Sequence, residues 1–65
     1  RSGEIKGKAE SVILALEMKG PVSEQMKKRI FSERDISLLE DWMRMAIEAD
    51  TVEAFLVRTG LDRII

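Results

Sequence analysis

Two short segments carry the residue types of a metal-dependent nuclease half-site. They are Glu4-Ile5-Lys6 and Glu17-Met18-Lys19. In such a half-site the carboxylate holds Mg²⁺ and the lysine stabilises the negative charge that develops. The arrangement also needs a preceding aspartate on a strand, and both segments lie in helical sequence without one. We expect neither to be catalytic, and we expect no metal site and no cofactor.

Neighbouring carboxylates could also serve as a general acid and a general base. The candidates are Glu33 with Asp35, Glu40 with Asp41, and Glu48 with Asp50. Adjacent helical side chains point about 100° apart, and no histidine supports any of these groups. Glu40 is better interpreted as the i,i+4 partner of Arg44. The chain is therefore predicted not to be an enzyme.

The segment Lys27-Lys28-Arg29 is the only basic run, and it could contact phosphates. It supports an alternative hypothesis, a small DNA-associated regulator. Glu24 and Glu33 balance the run, however, and a DNA-reading helix would be basic, whereas the central helix here is acidic and apolar. Nucleic acid is therefore not expected as the main partner.

Composition limits the chain to one domain with a marginal core. It has 65 residues, a formal net charge of −1, and neither cysteine nor histidine. A core this small usually needs a disulfide, a metal or oligomerisation, and the first two are largely excluded. The longest apolar run, Val12 to Leu16, is too short to span a membrane, and no secretion signal opens the chain. We expect a cytoplasmic protein that does not enter membranes and that associates with itself.

Apolar residues recur with the period of helices, and no stretch alternates as a strand would. The fold class predicted is all-α, a small bundle of about four short helices completed by oligomerisation. The helices are predicted near residues 5–19, 23–31, 35–49 and 51–59. Residues 1–8 are interpreted as the end of a linker and the start of a helix, 9–60 as a helical interaction domain, and 61–65 as a C-terminal tail.

Residues that favour helix ends set these boundaries. The N-caps predicted are Ser23 and either Ser32 or Asp35, because their short side chains accept from free backbone N–H groups, and the last helix is predicted to start at Thr51 after Asp50. Gly20, before Pro21, and Gly60 are predicted to end the first and last helices.

Two helices each carry a second apolar stripe that their own core-facing residues do not use. In the central helix one stripe contains Ile36, Leu39, Met43, Ala46 and Ile47. The second stripes comprise Leu14 and Met18 of the first helix and Leu38, Trp42 and Met45 of the central helix. The alternative is that these five residues are ordinary core. Since uncovered apolar patches usually mark interfaces, we predict a homo-oligomer, most simply a two-fold dimer, built on them.

The order of motifs resembles one known family. The motifs are Gly-Lys-Ala-Glu-Ser-Val-Ile-Leu-Ala-Leu-Glu from Gly7, Gly-Pro-Val-Ser-Glu from Gly20, D-x-x-x-L-E-x-W-x-x-x-A from Asp35 to Ala46, and Thr51-Val52-Glu53. Together they resemble the C-terminal helical region of bacterial Rpn-type recombination-promoting nucleases, or putative transposases. The resemblance implies a non-enzymatic interaction module that works beside a nuclease-like protein and could regulate it by forming mixed oligomers. The family's nuclease domain comes first in those proteins, and none of its catalytic residues has a counterpart here.

Overall fold

A computed structural model describes residues 2–63 of the chain. The elements are α1 (Ser2–Glu17), α2 (Glu24–Ser32), α3 (Ile36–Glu48), α4 (Val52–Thr59) and a short 3₁₀ helix (Leu61–Arg63). No strand occurs within this range, so the predicted all-α fold class is confirmed.

Local side-chain chemistry fixes the start of three helices. Ser23 accepts from the N–H of Met26 at 3.2 Å. Asp35, rather than Ser32, caps α3 by accepting from the N–H groups of the second and third residues after it, at 3.0 and 3.3 Å. Thr51 caps α4 by accepting from the N–H of Ala54 at 3.1 Å. These hydrogen bonds satisfy donors that have no partner inside the helix.

The ends of α1 differ from those predicted. The helix already begins at Ser2 and ends at Glu17, whereas the sequence predicted 5–19. Gly20 does not adopt the left-handed conformation of a glycine cap; instead its N–H donates to the carbonyl of Leu16 at 3.1 Å. Gly60 does adopt that conformation, with φ 79°, and ends α4 as predicted.

Each of the helices α1 to α4 contributes to one apolar core. The core residues are Ala9, Val12, Ile13, Leu16, Met26, Ile30, Leu39, Trp42, Ala46, Ala49, Phe55 and Leu61. Leu61 is 2% exposed, so the first residue of the predicted tail is part of the core. It reaches the core because the left-handed turn at Gly60 redirects the chain into the 3₁₀ helix. Ile64 and Ile65, the last residues of that tail, lie outside the described range.

Contacts along α1 and just after its end show in which directions its neighbours run. The Nζ atom of Lys8 lies 3.1 Å from Oε2 of Glu40, and Nζ of Lys19 donates to the carbonyl of Ile47 at 3.0 Å, so α1 and α3 run in the same direction. The first half of α2 lies beside the end of α1, where Nζ of Lys27 is 3.6 Å from Oε2 of Glu17. The end of α2 lies near the start of α1, because Phe31 and Arg34 line a cavity with Ile5 and Lys6. The helices α1 and α2 therefore run in opposite directions. One side of α1 therefore packs on α3 and another borders α2.

None of the helices in residues 2–63 combines the length and the apolar character needed to cross a membrane.

Candidate interaction surface

An open groove between α1 and α2 exposes apolar side chains. It encloses about 370 Å³. The residues that line it are Glu10, Ile13, Leu14, Glu17, Lys27 and Phe31. Leu14 is 62% exposed and Phe31 is 42% exposed, while Ile13 forms the buried floor at 6%. The groove can therefore contact another apolar surface without any rearrangement of the core.

The groove continues past Phe31 towards the start of α1. This second section holds about 280 Å³ and is lined by Ile5, Lys6, Phe31 and Arg34. Phe31 thus lies between the two sections and contributes its ring to both. The two sections, which share Phe31, are together called the apolar strip, and charged residues are also among those that line it.

Two of the five predicted interface residues lie fully on the surface. Leu14 is 62% exposed, and Met18, one turn further along, is 86% exposed. The helical period explains this directly, since the residues on the opposite side of α1, Val12 and Leu16, are completely buried. The second apolar stripe predicted for this helix is therefore uncovered within the chain.

The three predicted interface residues on the central helix belong instead to the molecule's own packing. Trp42 is only 3% exposed and is part of the core, and Leu38 and Met45 are half-buried against it. The prediction that Trp42 belongs to an uncovered stripe is corrected by this burial. Ile47 shows the reverse: predicted within a core-facing stripe, it is 60% exposed.

An arginine explains why Trp42 is covered. The guanidinium carbon of Arg29 lies 5.4 Å from the centroid of the indole ring, within the range of a cation–π contact. Its Nη1 atom also lies 3.2 Å from Oε1 of Glu33, which holds the side chain in place. A long cationic side chain from α2 thus lies over the indole ring.

Phe31 lines the groove, but the sequence predicts it only as the last residue of the second helix and not as a site residue. Its neighbour Ile30 is completely buried, and adjacent helical positions point about 100° apart. A large aromatic next to a core position on a short amphipathic helix was therefore the available signal. Since α2 buries only Met26 and Ile30, the ring of Phe31 is left at the edge of the core.

Most of the basic run is paired within the chain. The Nζ atom of Lys27 lies 3.6 Å from Glu17 and 3.5 Å from Glu24. Arg29 is held by Glu33, as described above. Of the three residues, only the exposed Lys28 forms no ion pair within residues 2–63. The run therefore presents a single uncommitted positive charge rather than a phosphate-binding cluster.

Three of the candidate carboxylates, Glu40, Asp41 and Glu48, form ion pairs. Glu40 pairs with Lys8, and Arg44 pairs with Asp41 at 3.6 Å, so the predicted pair of Glu40 with Arg44 is wrong. Glu48 lies 3.9 Å from Arg58. Within residues 2–63 no three acidic side chains are grouped so that they could hold a metal ion.

The buried polar atoms of the described residues are all paired. Over the described range every buried side-chain nitrogen and oxygen atom has a hydrogen-bond partner, so no polar group is aimed unsatisfied into a cavity. What remains is the apolar strip and the charged residues that line it. Comparison of the chain with protein-family models, with curated proteins and with solved structures gave no match.

Proposed function

We propose that the chain is a non-enzymatic helical oligomerisation module that forms a homodimer through the groove between α1 and α2. The observation that carries this proposal is the exposure of Leu14 and Phe31 on the same groove, at 62% and 42%. Exposed apolar side chains that are contiguous and edged by charged ones are typical of protein interfaces.

The small size of the core supports a second copy of the chain as the partner that binds the groove. A chain of 65 residues without cysteine or histidine has little besides association to supplement its core. A standard interface buries roughly 800 Å² per partner. That is about a fifth of the 4,324 Å² accessible surface, which one face of the molecule can supply.

Sedimentation equilibrium at tens of micromolar tests the proposal. The wild-type chain is expected at dimer mass, and Leu14→Glu is expected to be monomeric, because a carboxylate would be buried at the interface without a partner. Ser11→Glu is the matched control, since Ser11 is exposed on the same helix outside the residues that line the groove. It introduces the same charge and should leave the dimer intact.

Two results would contradict this function. One is a folded wild-type chain that stays at monomer mass. The other is a dimer that Leu14→Glu and Ser11→Glu weaken equally, which would place the interface elsewhere on the surface. Circular dichroism on each variant separates lost association from lost folding.

The family resemblance supports a narrower form of the same proposal. A longer nuclease-like protein carrying this helical region would bind the isolated chain through the same groove and form mixed oligomers. Co-sedimentation of the chain with such a protein is expected, and Leu14→Glu should abolish it. If Leu14→Glu does not weaken binding, the nuclease-like protein does not use this groove.

A further inference from the structure

The first two turns of α1 contain two glycines that neither packing nor backbone conformation requires. Within residues 2–63, a Cβ atom added to Gly3 or Gly7 would have no neighbour within 4 Å outside its own stretch of helix. Neither residue has a positive φ, whereas Gly60 has a φ of 79°. In a helix interior, a glycine lowers the equilibrium constant for helix formation roughly fivefold relative to alanine. The start of α1 is therefore less stable than it would be with alanine at these two positions.

A half-buried isoleucine and a partly exposed ion pair hold these two turns, residues 2–8, to the rest of the molecule. Ile5 packs against the core, and Lys8 pairs with Glu40 through side chains that are 25% and 54% exposed. An ion pair this exposed contributes little to stability. The first completely buried residue described in α1 is Ala9. Residues 2–8 can therefore open while the core, which begins at Ala9, stays intact.

The same two turns form one wall of the groove. Ile5 and Lys6 line its second section together with Phe31 and Arg34. This wall is lost when residues 2–8 leave the helix, and it is restored when they return. A partner that fills the groove therefore binds chains in which these residues are helical more tightly than chains in which they are not.

We infer that residues 2–8 are an arm that is open in a substantial fraction of free chains and that closes when a second copy of the chain occupies the groove. This inference rests on the self-association proposed above. Dimerisation then includes the cost of closing the arm in both copies. Any change that closes the arm beforehand tightens the dimer. The affinity of the groove thus depends on the helix stability of residues outside the core.

Hydrogen exchange of a dilute, monomeric sample tests the arm in the free chain. The amides of Lys6 and Lys8 lose their helical acceptors when the arm opens, whereas the amide of Leu16 does not. In the wild type, the two arm amides should be at least about tenfold less protected than that of Leu16. Gly3→Ala combined with Gly7→Ala should raise their protection roughly tenfold, because each alanine favours the closed helix.

Sedimentation equilibrium of the full chain tests the coupling between the arm and the dimer. If about half of the free chains have an open arm, the double alanine variant should lower the dimer dissociation constant roughly three- to fourfold, since both copies gain. Val57→Ala is the matched control, because Val57 is 67% exposed on α4 and lies outside the groove. Alanine there favours a helix that does not include the arm, and the dissociation constant should not change. Circular dichroism confirms that each variant is folded.

Three results would overturn this inference. Arm amides as protected as that of Leu16 in the dilute wild type would show that the arm does not open, while leaving self-association standing. A double alanine variant that dimerises no more tightly would do the same for the coupling. A weaker dimer would show instead that a partner needs bare backbone at Gly3 and Gly7, which lie on the same face of α1 as Leu14. A wild-type chain that stays monomeric would overturn the proposed function together with the coupling.

Discussion

The two sides of α1 meet their neighbours in different ways. Towards α3 the contact is closed: Leu16 and Leu39 are completely buried, and Lys8 and Lys19 each make a polar contact with α3. Towards α2 the helices are also joined by an ion pair, yet Leu14 and Phe31 remain exposed between them. Ion pairs occur on both sides, so they do not explain the difference.

What differs is the number of side chains that the neighbouring helix buries in the core. The helix α3 presents Leu39, Trp42 and Ala46 to the core, and all three are buried. The shorter α2 buries only Met26 and Ile30 and gives its remaining positions mostly to charged residues. A short helix with two core residues can close one side of the bundle but cannot also cover the second stripe of α1.

Truncation of a leucine on each side should break this comparison most clearly. Leu39→Ala removes a completely buried side chain facing the closed side and should lower the free energy of unfolding by about 3 kcal/mol, within a usual range of roughly 2–5. Leu14→Ala removes the same atoms from the open side and should change it by less than about 0.5 kcal/mol. Urea denaturation of dilute, monomeric samples measures both values. Equal losses would mean that the groove is as closed as the core.

Removal of the Arg29 guanidinium from above Trp42 should lower the free energy of unfolding by less than the leucine truncation on the closed side does. Arg29→Met keeps a long apolar stem but removes the charge above the indole ring and the pair with Glu33, so unfolding should become easier by about 1 kcal/mol. Lys28→Met, at an exposed neighbouring position, is the control and should have little effect. Tryptophan fluorescence during urea denaturation reports both changes. If the two variants behave alike, the arginine does not stabilise the closed side.

The start of α3 lies at the end of the groove, and its cap should have a comparable effect. Asp35→Ala leaves the N–H groups of Ser37 and Leu38 without their acceptor, which typically costs about 1 kcal/mol. Asp50→Ala removes an exposed carboxylate that forms no described hydrogen bond and should be nearly neutral. Thermal unfolding followed by circular dichroism compares them. A loss at Asp50 as large as that at Asp35 would show a general charge effect rather than a cap.

The smallest expected effect belongs to the ion pair on the closed side. Lys8 and Glu40 are 3.1 Å apart, and their side chains are 25% and 54% exposed. Lys8→Met with Glu40→Gln in a double-mutant cycle should give a coupling of about 0.5 kcal/mol that decreases with salt. A coupling above about 2 kcal/mol would mean that polar contacts, and not apolar packing, hold the closed side.

The sequence predicts those features that depend on a few neighbouring residues. The caps at Ser23 and Asp35 follow from side chains that accept bonds from N–H groups two or three residues away, whereas Thr51, predicted as the first residue of the last helix, is its cap. The exposure of Leu14 follows equally from the period of one helix. The left-handed end at Gly60 needs only the residue that tolerates that conformation.

Features that depend on which helices meet could not be predicted in the same way. Glu40 was matched with Arg44 on its own helix, but the parallel packing of α1 and α3 brings Lys8 closer. Trp42 looked available to a partner because its cover, Arg29, comes from another helix. The groove could not be predicted either, because it depends on how α2 packs beside α1 and leaves Leu14 and Phe31 exposed.

The hydrogen bond from Lys19 to the carbonyl of Ile47 matters for the dipoles of α1 and α3. Two helices that run in the same direction bring their partially negative C-terminal ends together. The exposed ammonium group of Lys19 supplies a positive charge at that place and a donor for one of the last carbonyls of α3. Acetylation of this one amine would remove the charge at once. Modification of this one exposed residue would therefore change the charge at the shared C-terminal ends of α1 and α3 without removing any side chain from the core.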